Sequence, residues 1–184
     1  MKLYTIGHSN HNFEKFVGLL RNHGIELLVD VRSAPYSRYS PHFNKDSLIT
    51  FLPKHNIEYV YAGKHLGGRP TDPSCYKNKR LPEEGADYLH EVDYPQVMLR
   101  VWFVKGIQRL LELTKHNTVA VLCSEEDPAN CHRHHLIAQY LLAEYPEIDI
   151  QHIRGDGTVY GARSILKSVA DSPAAHQLSM FKDV

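Results

Sequence analysis

Apolar residues along this chain fall into short continuous runs that alternate with stretches of helical period. Leu3-Tyr4-Thr5-Ile6, Leu27-Leu28-Val29-Asp30-Val31, Ile57-Glu58-Tyr59-Val60-Tyr61, Thr118-Val119-Ala120-Val121-Leu122 and Ile148 to Ile153 read as strands. Between the first two, Phe13, Phe16, Val17, Leu19 and Leu20 recur at helical spacing, with Asn10 or Asn12 placed to cap and His23-Gly24 to stop the helix. Asp46 to His55, Val97 to His116 and Pro128 to Tyr145 read as three further helices. Strands alternating with helices predict an α/β fold, a three-layer sandwich around a mostly parallel central sheet. A single domain over residues 1–166 and a flexible tail over 167–184 complete the expected organisation.

Two segments lack any period. Ser33 to Phe43 is rich in Pro, Ser and Tyr, and Gly63 to Tyr94 is dominated by charged residues, Gly and Pro. A stretch of that length without regular structure marks function or mobility. In parallel sheets ligands gather at the carboxyl ends of the strands. That rule selects Gly7-His8-Ser9, Asp30-Val31-Arg32-Ser33, Ala62-Gly63-Lys64 and Cys123-Ser124-Glu125 as one polar rim. Asp30, at the end of a buried strand, needs a partner there, and Arg32 and His8 are the candidates.

The densest chemistry lies from Cys123 through Glu125, Asp127-Pro128, Cys131, His132 and Arg133 to His134-His135. Asp127 before Pro128 fits a helix start, which would put Cys131 in an early turn where a thiolate is favoured. Cys131 or Cys123 is thus a candidate nucleophile, with Glu125 or His132 as acid or base. Alternatively Cys123, Cys131, His132 and His135 supply metal ligands, although the spacing matches no familiar zinc pattern. His134 reads as part of a solvated helix face.

Taken together, Thr5-Ile6-Gly7-His8-Ser9, Asp30-Val31-Arg32-Ser33-Ala34-Pro35-Tyr36-Ser37, Leu66-Gly67-Gly68 and Cys123-Ser124-Glu125 through Cys131-His132-Arg133 resemble domain-of-unknown-function family 488. The resemblance implies that His8, Asp30, Arg32, Ser33, Gly67, Gly68, Cys123, Glu125, Cys131, His132 and Arg133 belong to one site. It carries no reaction. A looser similarity to rhodaneses and cysteine phosphatases fails on Glu125, Glu126 and Asp127, acids that would repel an anion in the loop after Cys123.

Composition narrows the partners. Lys+Arg and Asp+Glu are both 21, so no net basic field drives non-specific DNA binding, and a nucleic-acid contact must be local. Such a patch is at hand in Arg32, Arg38, Lys45, Lys64, His65 and Arg69, interleaved with Tyr36, Tyr39, Phe43 and Tyr61. Ser9, Ser33, Arg38, Lys64, Gly67, Gly68 and Arg69 are the candidate substrate contacts. Three cysteines, no signal-peptide core at Met1 and no membrane-length apolar run point to the cytoplasm and to no membrane association. No organic-cofactor motif is present.

Beyond residue 166, Gln177-Leu178-Ser179-Met180-Phe181 is similar to the peptide by which bacterial DNA polymerases and repair enzymes dock onto the replication sliding clamp. Met180 stands where that peptide has Leu, a swap an apolar pocket tolerates. Gln177, Leu178, Met180 and Phe181 are the candidate clamp contacts, and the small, polar Ser168 to His176 reads as their tether. The resulting expectation is an enzyme of DNA repair or replication acting on DNA or a modified nucleotide. A small-molecule enzyme of cysteine or sulfur chemistry, and a non-catalytic DNA-binding adaptor, are the alternatives.

Overall fold

Two strands with no exposed residue set the architecture. Leu27–Asp30 (β2) and Val119–Cys123 (β4) are buried throughout, as strands covered on both faces must be. In the computed structural model, which describes residues 1–165, they lie side by side at the heart of a six-stranded sheet. The other strands are Lys2–Gly7 (β1), Glu58–Tyr61 (β3), Asp149–Ile153 (β5) and Val159–Gly161 (β6). Their order is β3-β2-β4-β1-β5-β6, parallel except for β6, which runs antiparallel to β5. Residues 166–184, which include the clamp-like peptide, lie outside the described residues.

The strand alternation sends side chains to two separate cores. Leu28, Ala120, Leu122 and Ile6 pack with Phe16, Val17 and Leu20 of Phe13–Asn22 (α1) and Leu48 of Lys45–Phe51 (α2). Leu27, Val29, Val119 and Val121 meet the opposite layer. That layer is built from short Gly63–Leu66 (α3), Tyr88–Glu91 (α4), Tyr94–Met98 (α5), long Val101–Thr114 (α6) and Gln139–Glu144 (α7). Phe103, Ile107 and Leu110 of α6 and Leu141 of α7 fill its core. The three-layer α/β sandwich expected from the sequence is therefore the fold. Among the described residues, no helix is long and apolar enough to cross a membrane.

Boundaries shift where the local chemistry is mixed. Asn12 is the cap of α1, its side chain accepting from Lys15 N at 2.8 Å. The helix expected from Val97 divides into α5 and α6, with Leu99 and Arg100 between. Pro128 to Tyr145 is not one helix either. A 3₁₀ turn at Pro128–Asn130 is followed by an extended Cys131 (φ −142°, ψ 141°), then a π-helical Arg133–Ala138 that continues as α7. Asp127 does cap, but it caps the 3₁₀ turn, accepting from Ala129 N at 3.0 Å.

This break positions the site. β1 and β4 are neighbours with Gly7 level with Cys123. The chain leaves β1 for α1 on one face and β4 for α7 on the other. Diverging connections from adjacent strands open a crevice at their carboxyl ends.

Candidate active site

Three strand ends meet in register at this crevice. His8 N donates to the Cys123 carbonyl at 3.0 Å, Ser9 N to the Ser124 carbonyl at 2.8 Å, and Val31 N to the Leu122 carbonyl at 3.1 Å. The loop after β4 presses so closely on β1 that any side chain at Gly7 would collide with the Glu125 carbonyl. Arg133 completes the fixation. Fully buried, its guanidinium donates to the backbone carbonyls of Glu125 and, at 2.6 Å, Glu126. It is therefore a staple of the loop. Glu126 in turn holds Arg154 through two bonds of 3.0 and 2.7 Å.

On this frame Cys123, Glu125, Cys131 and His132 converge. Both thiols donate to Glu125 Oε2, Cys123 Sγ from 3.0 Å and Cys131 Sγ from 3.1 Å. His132 Nδ1 faces the same sulfurs at 3.5 and 4.0 Å. Burial works to raise the Glu125 pKa, but the hydrogen bonds from both thiols outweigh it and hold the carboxyl below its usual range. Cys131 is displaced the other way. Burial and the adjacent Cys123 push its thiol well above the ordinary value, so no depressed thiolate sits there. The expected helix-start activation fails because Cys131 is extended and Arg133 turns its charge away. Burial disfavours the His132 cation, yet contact with Cys131 and the Glu125 charge lift its pKa overall.

Asp30 finds its partner in Arg32. Arg32 Nε reaches Oδ1 at 2.9 Å and Nη2 reaches Oδ2 at 2.6 Å, while the Tyr59 hydroxyl donates to Oδ2 at 2.8 Å. Nη2 also donates to the Phe43 carbonyl at 2.8 Å. His8 is not in this pair. It bonds the Ser9 carbonyl through Nδ1 at 2.8 Å and stacks on Phe43 with ring centres 4.5 Å apart. Burial, then the Arg32 charge, lowers its pKa to about 4, leaving a neutral ring.

Above the cluster lies an open cleft of about 560 Å³. Cys123, Glu125, Cys131 and His132 line it together with Arg32, Ser33, Gly68 and Arg69. Gly67 and Gly68 are required by space. A Cβ at Gly67 would strike the Gly63 carbonyl and the Ser33 hydroxyl, and one at Gly68 would stand 2.6 Å from the His132 ring. Ser33 Oγ accepts from Arg69 N at 2.9 Å, joining the two loops. Arg38 and Lys64 are exposed and take no part in the walls, and Ser9 and Asp30 lie outside them.

His135 leaves the proposed ligand set. Its Nε2 bonds the Ala129 carbonyl at 2.6 Å and its ring lies parallel to Tyr94. His134, expected on a solvated face, is buried against His152, with their ring nitrogens 3.2 Å apart. The π-helical turn rotates it onto the sheet. Sequence reasoning also missed Asp87, Tyr88, His90, Tyr94 and Asn130 in the cleft wall. Asp87 bonds His90 Nδ1 at 2.7 Å, and the Arg69 guanidinium lies 4.5 Å from the Tyr88 ring centre. The one signal for the four residues from 87 to 94 was membership of an aperiodic, polar segment, and for Asn130 its place in the Cys123–His135 stretch.

A model of the family described as domain of unknown function DUF488 matches residues 12–141. That span holds the Asp30, Gly67-Gly68 and Cys123–Arg133 motifs and begins after Gly7-His8-Ser9. Neither a curated protein nor a solved structure matches the chain.

Proposed function

The chain belongs to the DUF488 family, whose description names no reaction, and from that premise we propose that it is an enzyme acting on a nucleotide unit of DNA. The observation that carries an enzymatic reading is the convergence of Cys123, Glu125, Cys131 and His132 on one side of an open cleft. Glu125 is the acid–base group: it is ionised, shares contacts with both thiols and opens onto the cleft. A nucleotide suits the remaining walls. Arg69 offers positive charge, while Tyr36, Tyr88 and Tyr94 offer ring faces for an unstacked base. The cleft's volume lies in the range of sites that take one such group, roughly 300–1,000 Å³.

Delivery to DNA falls to Gln177, Leu178, Met180 and Phe181, which dock on the sliding clamp. A chain of zero net charge gains little from the DNA field, and a tether replaces that attraction with effective concentration. Sulfur chemistry on a small molecule is the second reading, favoured by the two thiols facing the cleft. Surface plasmon resonance of the full chain, of Phe181→Ala and of a chain ending at Ala175 on a bacterial clamp separates them. Binding by the full chain alone supports delivery to DNA. Absent binding, or binding indifferent to both changes, removes it and leaves the small-molecule reading.

A further inference from the structure

The acid–base role of Glu125 leaves unexplained why two sulfurs and an imidazole nitrogen share its corner. The Cys123 and Cys131 sulfurs and a His132 ring nitrogen all lie within 4.8 Å of one another. Cys123 Sγ is 3.5 Å and Cys131 Sγ 4.0 Å from His132 Nδ1, and Glu125 Oε2 stands 3.0 and 3.1 Å from the two sulfurs. Zinc–sulfur bonds of about 2.3 Å and zinc–nitrogen or zinc–oxygen bonds of about 2.0 Å, at tetrahedral angles, give donor–donor edges of roughly 3.3–3.8 Å. The two sulfur–imidazole edges, 3.5 and 4.0 Å, already bracket that spacing.

We propose that Cys123, Cys131 and His132 bind one divalent, thiophilic metal ion, zinc by the donor set, with the fourth position open to the cleft beside the Glu125 carboxylate. Two sulfurs and an imidazole exclude calcium and magnesium, which take oxygen. The backbone explains how neighbours 131 and 132 share an ion. Successive side chains on a helix diverge, whereas Cys131 is extended and His132 opens the following turn. Outer contacts match those that orient metal ligands. Arg133 N donates to Cys131 Sγ at 3.5 Å, and Gly68 backs the imidazole. Arg133 also clamps the loop that carries Glu125. On binding, each thiol releases its proton to solvent and its sulfur turns from Glu125 to the metal. This site stands independently of the DNA reading.

The test uses the untagged full chain, reduced and freed of metal, titrated with cobalt(II) and followed by absorbance. Expected are sulfur-to-cobalt charge-transfer bands and tetrahedral ligand-field bands that saturate at one ion per chain and disappear on adding zinc. Cys123→Ser and Cys131→Ser should each abolish the tetrahedral spectrum. Should a variant not fold, alkylation of the wild type by iodoacetamide gives a second reading. Zinc must then protect Cys123 and Cys131, with buried Cys75 as the internal control. No charge-transfer band in the wild type, or equal alkylation with and without zinc, overturns the site. Metal binding without any DNA activity supports it while removing the DNA reading.

Discussion

Gly68 lies against His132 so closely that the first carbon of any side chain there would stand 2.6 Å from the imidazole Cγ. The contact joins the end of the short α3 region to the turn that carries the cysteine cluster. It explains a glycine in an otherwise polar loop by space, since the neighbouring atoms belong to the root of the ring and cannot swing away.

Gly68→Ala should therefore displace His132 and cost about 1–3 kcal/mol through overpacking. Urea unfolding measures the cost, and the cobalt spectrum reads the ring's displacement. An unchanged midpoint and spectrum would mean the loop yields freely.

Asp30 and Arg32 are a buried pair, 0 % and 4 % exposed. Asp30→Ala strands the guanidinium and should destabilise the fold by about 3–5 kcal/mol. Tyr59→Phe removes one hydrogen bond to the same carboxylate and should cost only about 1–3 kcal/mol. Equal losses in chemical denaturation would contradict this ranking.

The strands were legible because β2 and β4 are continuous apolar runs, and the mostly parallel sheet followed from helices between them. β6 was not. Val159–Gly161 is three residues long and has no buried residue, so it presents no pattern to read. The rim residues at strand ends were legible through the rule for parallel sheets, and Cys123, Glu125, Cys131 and His132 do converge. The roles of Arg133, His134 and His135 were not, because each depends on the π-helical turn, which changes the direction of every side chain after Cys131. A helical period cannot reveal such a turn. Tyr88 and Tyr94 reach the cleft from a segment whose path is set by tertiary contacts such as Tyr76 with Val92.

His152 makes stability depend on acid. Its Nδ1 meets the Thr5 hydroxyl at 2.7 Å and its Nε2 meets His134 at 3.2 Å. Burial, then the charges of His134, Arg133 and Arg154, lowers its pKa to about 3. The unfolded chain binds this proton below about pH 6.5, and the folded protein does not until far lower. The contribution is whole above about pH 6.5 and is lost as pH falls toward 3. Urea midpoints from about pH 7 to about pH 4 should fall in the wild type and fall less in His152→Gln. Parallel slopes would contradict the assignment.

Glu125→Gln keeps the size of the side chain and removes its charge. Loss of an acid–base group should cost about 10²–10⁴-fold in turnover while leaving substrate affinity nearly unchanged. A matching rise in dissociation constant instead would make Glu125 a binding group.

The most direct measurement is mass spectrometry of single-stranded oligonucleotides bearing modified bases after incubation with the wild type and with Glu125→Gln. A mass change on at least one oligonucleotide, made by the wild type and lost in Glu125→Gln while binding persists, is the expected result. No mass change on any oligonucleotide, or the same change with both proteins, would contradict a DNA-directed reaction at the Cys123–Glu125–Cys131–His132 site.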